Sequence, residues 1–468
     1  MCIRDSIHSD HVKVRLRSWY LFYRFARHLR GHLGDVAQTV IQAVGDLLTI
    51  KAELPDESAD DDASSEANDQ SADAVFTAQL YLFEAVGCVA SIASVPVQNR
   101  SFYARSVLEP LISDLQNHNA SASSGDERAI LQMHHLMMAI GTVAKGFCDW
   151  MPGVTSGGAP PPSEVSAEFV PGSEAILSAL ESLKQSMQVR TAARFAFSRM
   201  LGVLGAQILQ QLPRWINGLL SQTSTKDEMA TFLRLLDQVV FGFKTEIYSI
   251  LDHLLTPLLQ RVFTGLSEPT NGTDDEIQLS ELKAQYLNFI LVILNNDLAA
   301  VLVSPTNQGT FDPLIATLEH FCRDPSDYPT AKLAYSVLTR MTTVWGGPDL
   351  ALPPSPSSPQ PPAPTMPGFD AFVVTRFSPL TWALVSSPQF SAKDAQARAA
   401  LAEAAVLQWT VLRKCGAMYE RHLRETEMRG VGFDEASAER YVGRMMGDKE
   451  VREFKKFVVG FVQQAREG

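Results

Sequence analysis

Apolar residues recur at the spacing of one helix face in segment after segment of this chain, and that recurrence limits its fold more than any other feature. Val12, Leu16, Trp19, Tyr23 and Ala26 form one stripe, widened by Phe22, Phe25, Leu29 and Leu33. Val36, Val40, Ile41, Val44, Leu47 and Leu48 form the next. Phe232, Leu235, Leu236, Val239 and Val240 repeat the pattern, continued past Gly242 by Ile247, Ile250, Leu251 and Leu254. Leu282, Tyr286, Phe289, Ile290 and Ile293 repeat it again, and no block of strand-like alternation interrupts the series. Periodic segments of roughly 15–25 residues, closed by Gly, Asn or Pro turns, predict antiparallel helix hairpins.

A self-comparison extends the argument. The stretches DHVKVRLRSWYLFYRFAR (Asp10–Arg27) and QSMQVRTAARFAFSRMLG (Gln185–Gly202) share a Val-Arg pair, Val14-Arg15 and Val189-Arg190, with an Arg nine residues further on, Arg24 and Arg199. A third, SDYPTAKLAYSVLTRMTT (Ser326–Thr343), keeps an Asp four residues before the pair and has Lys332 in place of the Arg. The pattern resembles the second helix of a HEAT repeat, in which an Asp and a following Val-Arg tie neighbouring repeats together. The fold class expected is all-α, a HEAT-type helical-repeat solenoid (an α-α superhelix) of antiparallel hairpins. Units of roughly 40–47 residues would give about eight hairpins. Because 468 residues exceed what one core normally serves, each hairpin must bury its apolar face against its neighbours, which predicts a curved rod.

Composition divides the array. HEAT-like helices are expected over 7–52, with the first hairpin truncated, over 74–150 and over 172–345, and further helices over 369–468. An acidic Ser/Ala-rich stretch, 53–73, reads as disordered, 151–171 as a Pro/Gly loop, and 346–368, with eight prolines after Pro348, as an extended linker. Met1–Ser6 fit no helical stripe and read as an assembly artefact on a truncated gene model, the natural chain continuing N-terminally. The most apolar stretch, Tyr286–Val303, is broken by Asn295, Asn296 and Asp297, so no membrane insertion is expected. Five scattered cysteines (Cys2, Cys88, Cys148, Cys322, Cys415) without a CxxC pair suit a reducing compartment.

The net charge of −12 is unevenly spread. Nine carboxylates from Glu53 to Asp73 account for most of it, and without them the body is near neutral, at about −3. Conversely, Ser182–Lys226 carries Lys184, Arg190, Arg194, Arg199 and Arg214 without one Asp or Glu. Two groups of basic residues follow as RNA-binding candidates. Lys13, Arg17, Tyr20, Arg24 and Arg27 share one helix face, where cations neutralise phosphates and an aromatic ring packs on a sugar or base. Arg190, Arg194 and Arg199 form the second group. A solvated face with an inter-repeat Asp–Arg ladder, to which Arg15 would belong, is the competing explanation.

Catalytic chemistry finds no support. His134-His135 are adjacent, about 100° apart around a helix, and a metal site there needs a spacing of three or four. The stretch GTVAKG (Gly141–Gly146) lacks the GK[ST] ending of a phosphate loop. GxSxG, HExxH and GxGxxG motifs are absent. No enzyme activity, cofactor or metal is expected.

Two longer stretches carry a family resemblance. AQLYLFEAVGCVASIASVPVQNRSFYARSVLEPLI (Ala78–Ile112) and LNFILVILNNDLAAVLVSPTNQGTFDPLIATLEHF (Leu287–Phe321), together with VRLRSWYLFYRFARHL in the first helix, resemble the exportin-T family of the importin-β (karyopherin) superfamily. The resemblance implies a solenoid that binds mature tRNA by shape and backbone, cooperatively with the GTP form of Ran. It also implies contacts with nuclear pore proteins and shuttling between nucleus and cytoplasm. The family's principal Ran site lies N-terminally and is expected to be missing from this chain. The other class of function considered is a protein-binding scaffold or a receptor for protein cargo, whose inner face would be acidic or apolar.

Overall fold

The computed structural model describes residues 3–54, 71–154, 158–350, 366–448 and 450–467. All regular structure among them is helical, in the hairpin solenoid architecture of HEAT-type repeats. The longer helices are α1 (Val12–His28), α2 (Ala37–Val44), α3 (Ala72–Ala90), α4 (Val97–Ser123), α5 (Glu127–Phe147), α6 (Val170–Ser182), α7 (Met187–Leu204) and α8 (Leu212–Leu219). There follow α9 (Lys226–Phe243), α10 (Tyr248–Ser267), α11 (Thr273–Asn295), α12 (Gln308–Arg323), α13 (Tyr328–Trp345), α14 (Ala395–Cys415), α15 (Glu435–Gly447) and α16 (Val451–Glu467). Two compact units divide the chain: Met1–Glu228 with Phe241–Phe243, and Met229–Val240 with Lys244–Gly468.

In the first unit α1, α3, α5 and α7 pack side by side in one row, and α4, α6 and α8 form the row behind. In the second, α11, α13, α14 and α16 form one row, with α10 and α12 behind. Side-chain caps start many of these helices. Asp126 accepts from the Arg128 and Ala129 amides on α5, Asp327 from Thr330 on α13, and Asp394 from Gln396 on α14, satisfying donors the helix itself leaves free. The Asn295–Asp297 cluster ends α11 as a turn, Asp297 taking a positive φ of 61°.

The Val-Arg repeat has a structural cause. Arg15 and Arg190 each lie four residues past their helix's cap, and each donates from Nη1 to the carbonyl six residues earlier, Ser9 at 3.2 Å and Lys184 at 2.7 Å. Arg398 on α14 does the same to Ala392 at 3.0 Å, an instance the sequence comparison missed. Arg15 therefore clasps a turn carbonyl and lies over Trp19, its guanidinium 5.8 Å from the ring centroid, rather than joining an Asp–Arg ladder.

Three expectations meet the structure differently. Residues 3–6 open a short helix, Ile3–Ile7, whose Ile7 is buried and accepts the Trp19 indole N–H at 2.9 Å. Within 151–171, Ser163–Ala167 is a helical turn and α6 begins at Val170. By length and composition α3 is apolar enough to cross a membrane, but 61% of its apolar window is buried against its neighbours, which makes it a core helix. Most of the acidic stretch (55–70) and of the Pro-rich stretch (351–365) lies outside the described residues.

Candidate nucleic-acid interface

Helix α1 buries Trp19, Tyr23 and Ala26 against α3, and this turns its basic residues outward. Arg17, Tyr20, Arg24 and Arg27 are exposed and Lys13 is half-exposed. Tyr20 is held edge-on against Tyr81, ring centroids 5.2 Å apart. Arg24 donates from Nη1 to the Tyr20 hydroxyl at 2.9 Å and lies over its ring. Tyr20, Tyr23, Arg24, Phe25, Arg27 and His28 line a concavity of about 820 Å³. The stripe is amphipathic rather than purely basic, since Val14, Leu21, Phe25 and Leu29 are exposed beside it.

Behind this face a polar network joins α1 to α3 and α5. The buried Glu84 carboxylate accepts the Tyr23 hydroxyl at 2.9 Å and Lys145 Nζ at 2.8 Å, with Arg27 Nη1 at 3.5 Å. Arg27 also donates to the Tyr23 oxygen at 2.7 Å. Burial raises the pKa of the Tyr23 hydroxyl above its ordinary value, so it keeps the proton that it gives to Glu84. Arg30 donates to Ser91 Oγ at 2.6 Å and, with Arg27, faces Asp149 on the segment after α5. Arg30, Lys145 and Asp149 escaped the sequence reading because they share no helix face with the α1 cations.

The network depends on close approach of α3 and α5. A Cβ on Gly146 would lie 2.3 Å from the Glu84 carbonyl oxygen, and one on Gly87 would lie 2.5 Å from that of Val143. The glycines of GTVAKG are therefore crossing points: Gly141 also sits close against Ala196 on α7, with 2.9 Å from a notional Cβ to the Ala196 Cα.

Two of the three arginines in the second candidate group are enclosed in the core. Arg190 and Arg194 are buried and converge on Glu228, Arg190 through Nε at 3.0 Å and Nη2 at 2.8 Å, Arg194 through Nη1 at 2.6 Å. Glu228 stands in the first turn of α9 and also accepts the Thr225 amide. A pair of arginines so enclosed serves the core and presents no charge to RNA. Arg199 is half-buried over the Phe195 ring, 5.1 Å from its centroid. His135 stacks on Phe76 at 3.6 Å, and burial, with His134 beside it, pushes its pKa down to about 4. Among the described residues no group of His, Cys, Asp and Glu is arranged to hold a metal ion.

Comparison with known proteins bears on what this surface belongs to. A family model described as Exportin-T matches residues 2–466. The chain is 55% identical over 459 residues to an Exportin-T of Emericella nidulans, covering 98% of this chain and 44% of that protein. It is 54% identical to an Exportin-T of Aspergillus niger with the same coverage, and 56% identical over 452 residues to one of Aspergillus oryzae, covering 96% and 44%. The chain thus spans less than half the length of the curated relatives it matches. A solved structure titled "Importin13 cytosolic state" aligns with a TM-score of 0.59 at 13% identity, covering 99% of this chain and 46% of that one, a likeness of fold alone.

Proposed function

The chain belongs to the exportin-T family, and on that premise we propose that it is part of a transport receptor that binds tRNA together with Ran-GTP and carries it to the cytoplasm. The family is one of non-catalytic carriers, not of enzymes. tRNA is recognised by its shape and backbone, a task for spread cations and aromatic rings rather than a compact motif. The observation that carries the site is the exposed face of α1, where Arg17, Tyr20, Arg24 and Arg27 stand together, Lys13 at its start. Arg190 and Arg194 are not part of it. The principal Ran contact is proposed to lie in the length of the relatives that this chain does not span, and contacts with nuclear pore proteins accompany transit between nucleus and cytoplasm.

A tRNA titration of this chain and of the full-length Emericella nidulans relative, with and without GTP-locked Ran at one salt concentration, tests the reading. Ran-GTP is expected to tighten tRNA binding by the relative about 5- to 150-fold, the usual range of allosteric coupling. This chain should bind weakly, with strong salt dependence and no response to Ran-GTP. Absence of enhancement in the relative would sink the export reading, and a Ran response in this chain would move a Ran site into these helices. Preference for a basic or apolar protein over tRNA would turn the assignment to a protein-binding scaffold.

A further inference from the structure

We propose that Arg27 and Arg30 form a two-guanidinium clamp for one backbone phosphate of the RNA, and that Asp149 occupies the clamp until the phosphate displaces it. The proposal rests on the tRNA-binding reading above. Each guanidinium is anchored from behind by one short hydrogen bond, Arg27 to the Tyr23 hydroxyl at 2.7 Å and Arg30 to Ser91 Oγ at 2.6 Å. These anchors are themselves fixed. Tyr23 stacks on Tyr81 and donates to buried Glu84, and Ser91 Oγ donates to the Cys88 carbonyl at 3.1 Å. Both cations are thereby aimed before any ligand arrives.

What they face is a poor fit. Asp149 Oδ1 lies 3.7 Å from Arg27 Nη2 and Oδ2 lies 3.4 Å from Arg30 Nη1. Well-formed guanidinium–carboxylate bonds are nearer to about 2.8 Å. The chain makes such bonds elsewhere, as Arg105 does with Glu168 at 2.7 and 2.9 Å. One carboxylate stretched between two guanidiniums satisfies neither. The Asp149 side chain is 58% exposed and follows the end of α5 on extended backbone, so no helix fixes its position. A phosphodiester offers two unbridged oxygens set farther apart than a carboxylate's, one for each guanidinium. Exchanging an exposed and misaligned ion pair for it costs little. Removal of Asp149 takes from Arg30 its carboxylate and leaves Arg27 with Glu84, which it shares with Lys145.

The test is a tRNA titration of the chain and its D149N variant over a range of salt, with D35N as the matched loss of an exposed carboxylate. D149N is expected to raise tRNA affinity about two- to fivefold, the size of an exposed ion pair. The log–log salt dependence should change little, because the same phosphate is neutralised in both forms and only the cost of displacing Asp149 is removed. D35N should do much less, and the effect of D149N should vanish in an R27Q/R30Q background, or in R30Q alone if circular dichroism shows the double variant unfolded. Equal effects of D149N and D35N, with tRNA still bound, overturn the clamp and leave the tRNA reading standing. Inorganic phosphate supplies the separate arm. If no variant binds tRNA but phosphate raises the melting temperature of D149N and not of D149N/R30Q, the clamp stands and the tRNA reading falls. If neither ligand responds, both fall.

Discussion

Gly87 and Gly146 meet where α3 crosses α5: a side-chain carbon on Gly87 would come within 2.9 Å of the Gly146 Cα. At Gly146 the added carbon would strike the Glu84 carbonyl at 2.3 Å, and backbone cannot swing aside as a flexible side chain can. Gly146→Ala is therefore expected to force the helices apart and to cost about 1–3 kcal/mol, as overpacking does. Gly443→Ala on α15, where nothing lies within 4 Å, should be neutral or stabilise by a few tenths up to about 1 kcal/mol. Urea unfolding followed by circular dichroism separates them, and equal midpoints would refute the tight crossing.

Among the described residues Glu228 is the sole carboxylate bonded to buried Arg190 and Arg194, so Glu228→Gln leaves two enclosed cations without a counter-charge. The expected loss is about 3–5 kcal/mol, the cost of breaking a buried ion pair from one side. Burial works to raise this carboxyl's pKa, but the hydrogen bonds from Arg190 and Arg194 outweigh it and hold it below the ordinary 4.5. Its contribution is thus complete above that pH and is lost as the pH falls through the lower, native value. An acid-unfolding profile that Glu228→Gln leaves unchanged would contradict this.

Glu427 has the opposite sign. It lies buried in the second unit, accepting the Trp382 indole N–H at 3.1 Å, with Oε1 3.3 Å from His422 Nε2, and burial raises its pKa to about 7. The native state then holds a proton that the unfolded chain gives up near 4.5, so stability falls as pH rises from 4.5 to 7. The fall should amount to about 2–3 kcal/mol. Denaturant midpoints across this range should lose the slope in Glu427→Gln and keep it in His422→Gln. A slope that survives Glu427→Gln assigns it to another group.

The α1 face predicts a different pattern again. Arg17→Gln and Arg24→Gln should each weaken tRNA binding and flatten its salt slope by roughly 0.7–0.9 for every phosphate no longer neutralised, with melting temperature unchanged. Arg190→Gln should lower the melting temperature instead. An unaltered salt slope in both α1 variants would return that helix face to solvent.

The helices were legible because their signals are local. Periodic stripes, Asp caps and the Asn295–Asp297 turn all lie within a few residues of what they control. Asn307, within a stretch that carries the family resemblance, is wholly buried and bonded to Thr256 and Asp252 of α10, so its part is to join helices. Charges were harder to read because their partners are remote. Arg190 looked free of carboxylates over the whole of Ser182–Lys226, yet Glu228 stands just beyond that window and the hairpin returns it to the same site. Arg27 likewise meets Glu84 of α3 and Asp149 on the segment after α5, both much later in the chain. Spacing along one helix says which side chains share a face, but whether that face is covered is decided by the next hairpin.

Arg15, Arg190 and Arg398 each reach back to a main-chain oxygen, and the residues that supply it, Ser9, Lys184 and Ala392, have nothing in common. A clasp of this kind reads the path of the turn and is blind to its wording. Turn sequences can therefore drift from copy to copy while the hinge geometry is inherited intact, provided the count of six residues between oxygen and guanidinium is kept. Such a joint can be duplicated along with its helices, and the new copy fits its neighbour without any substitution in the turn.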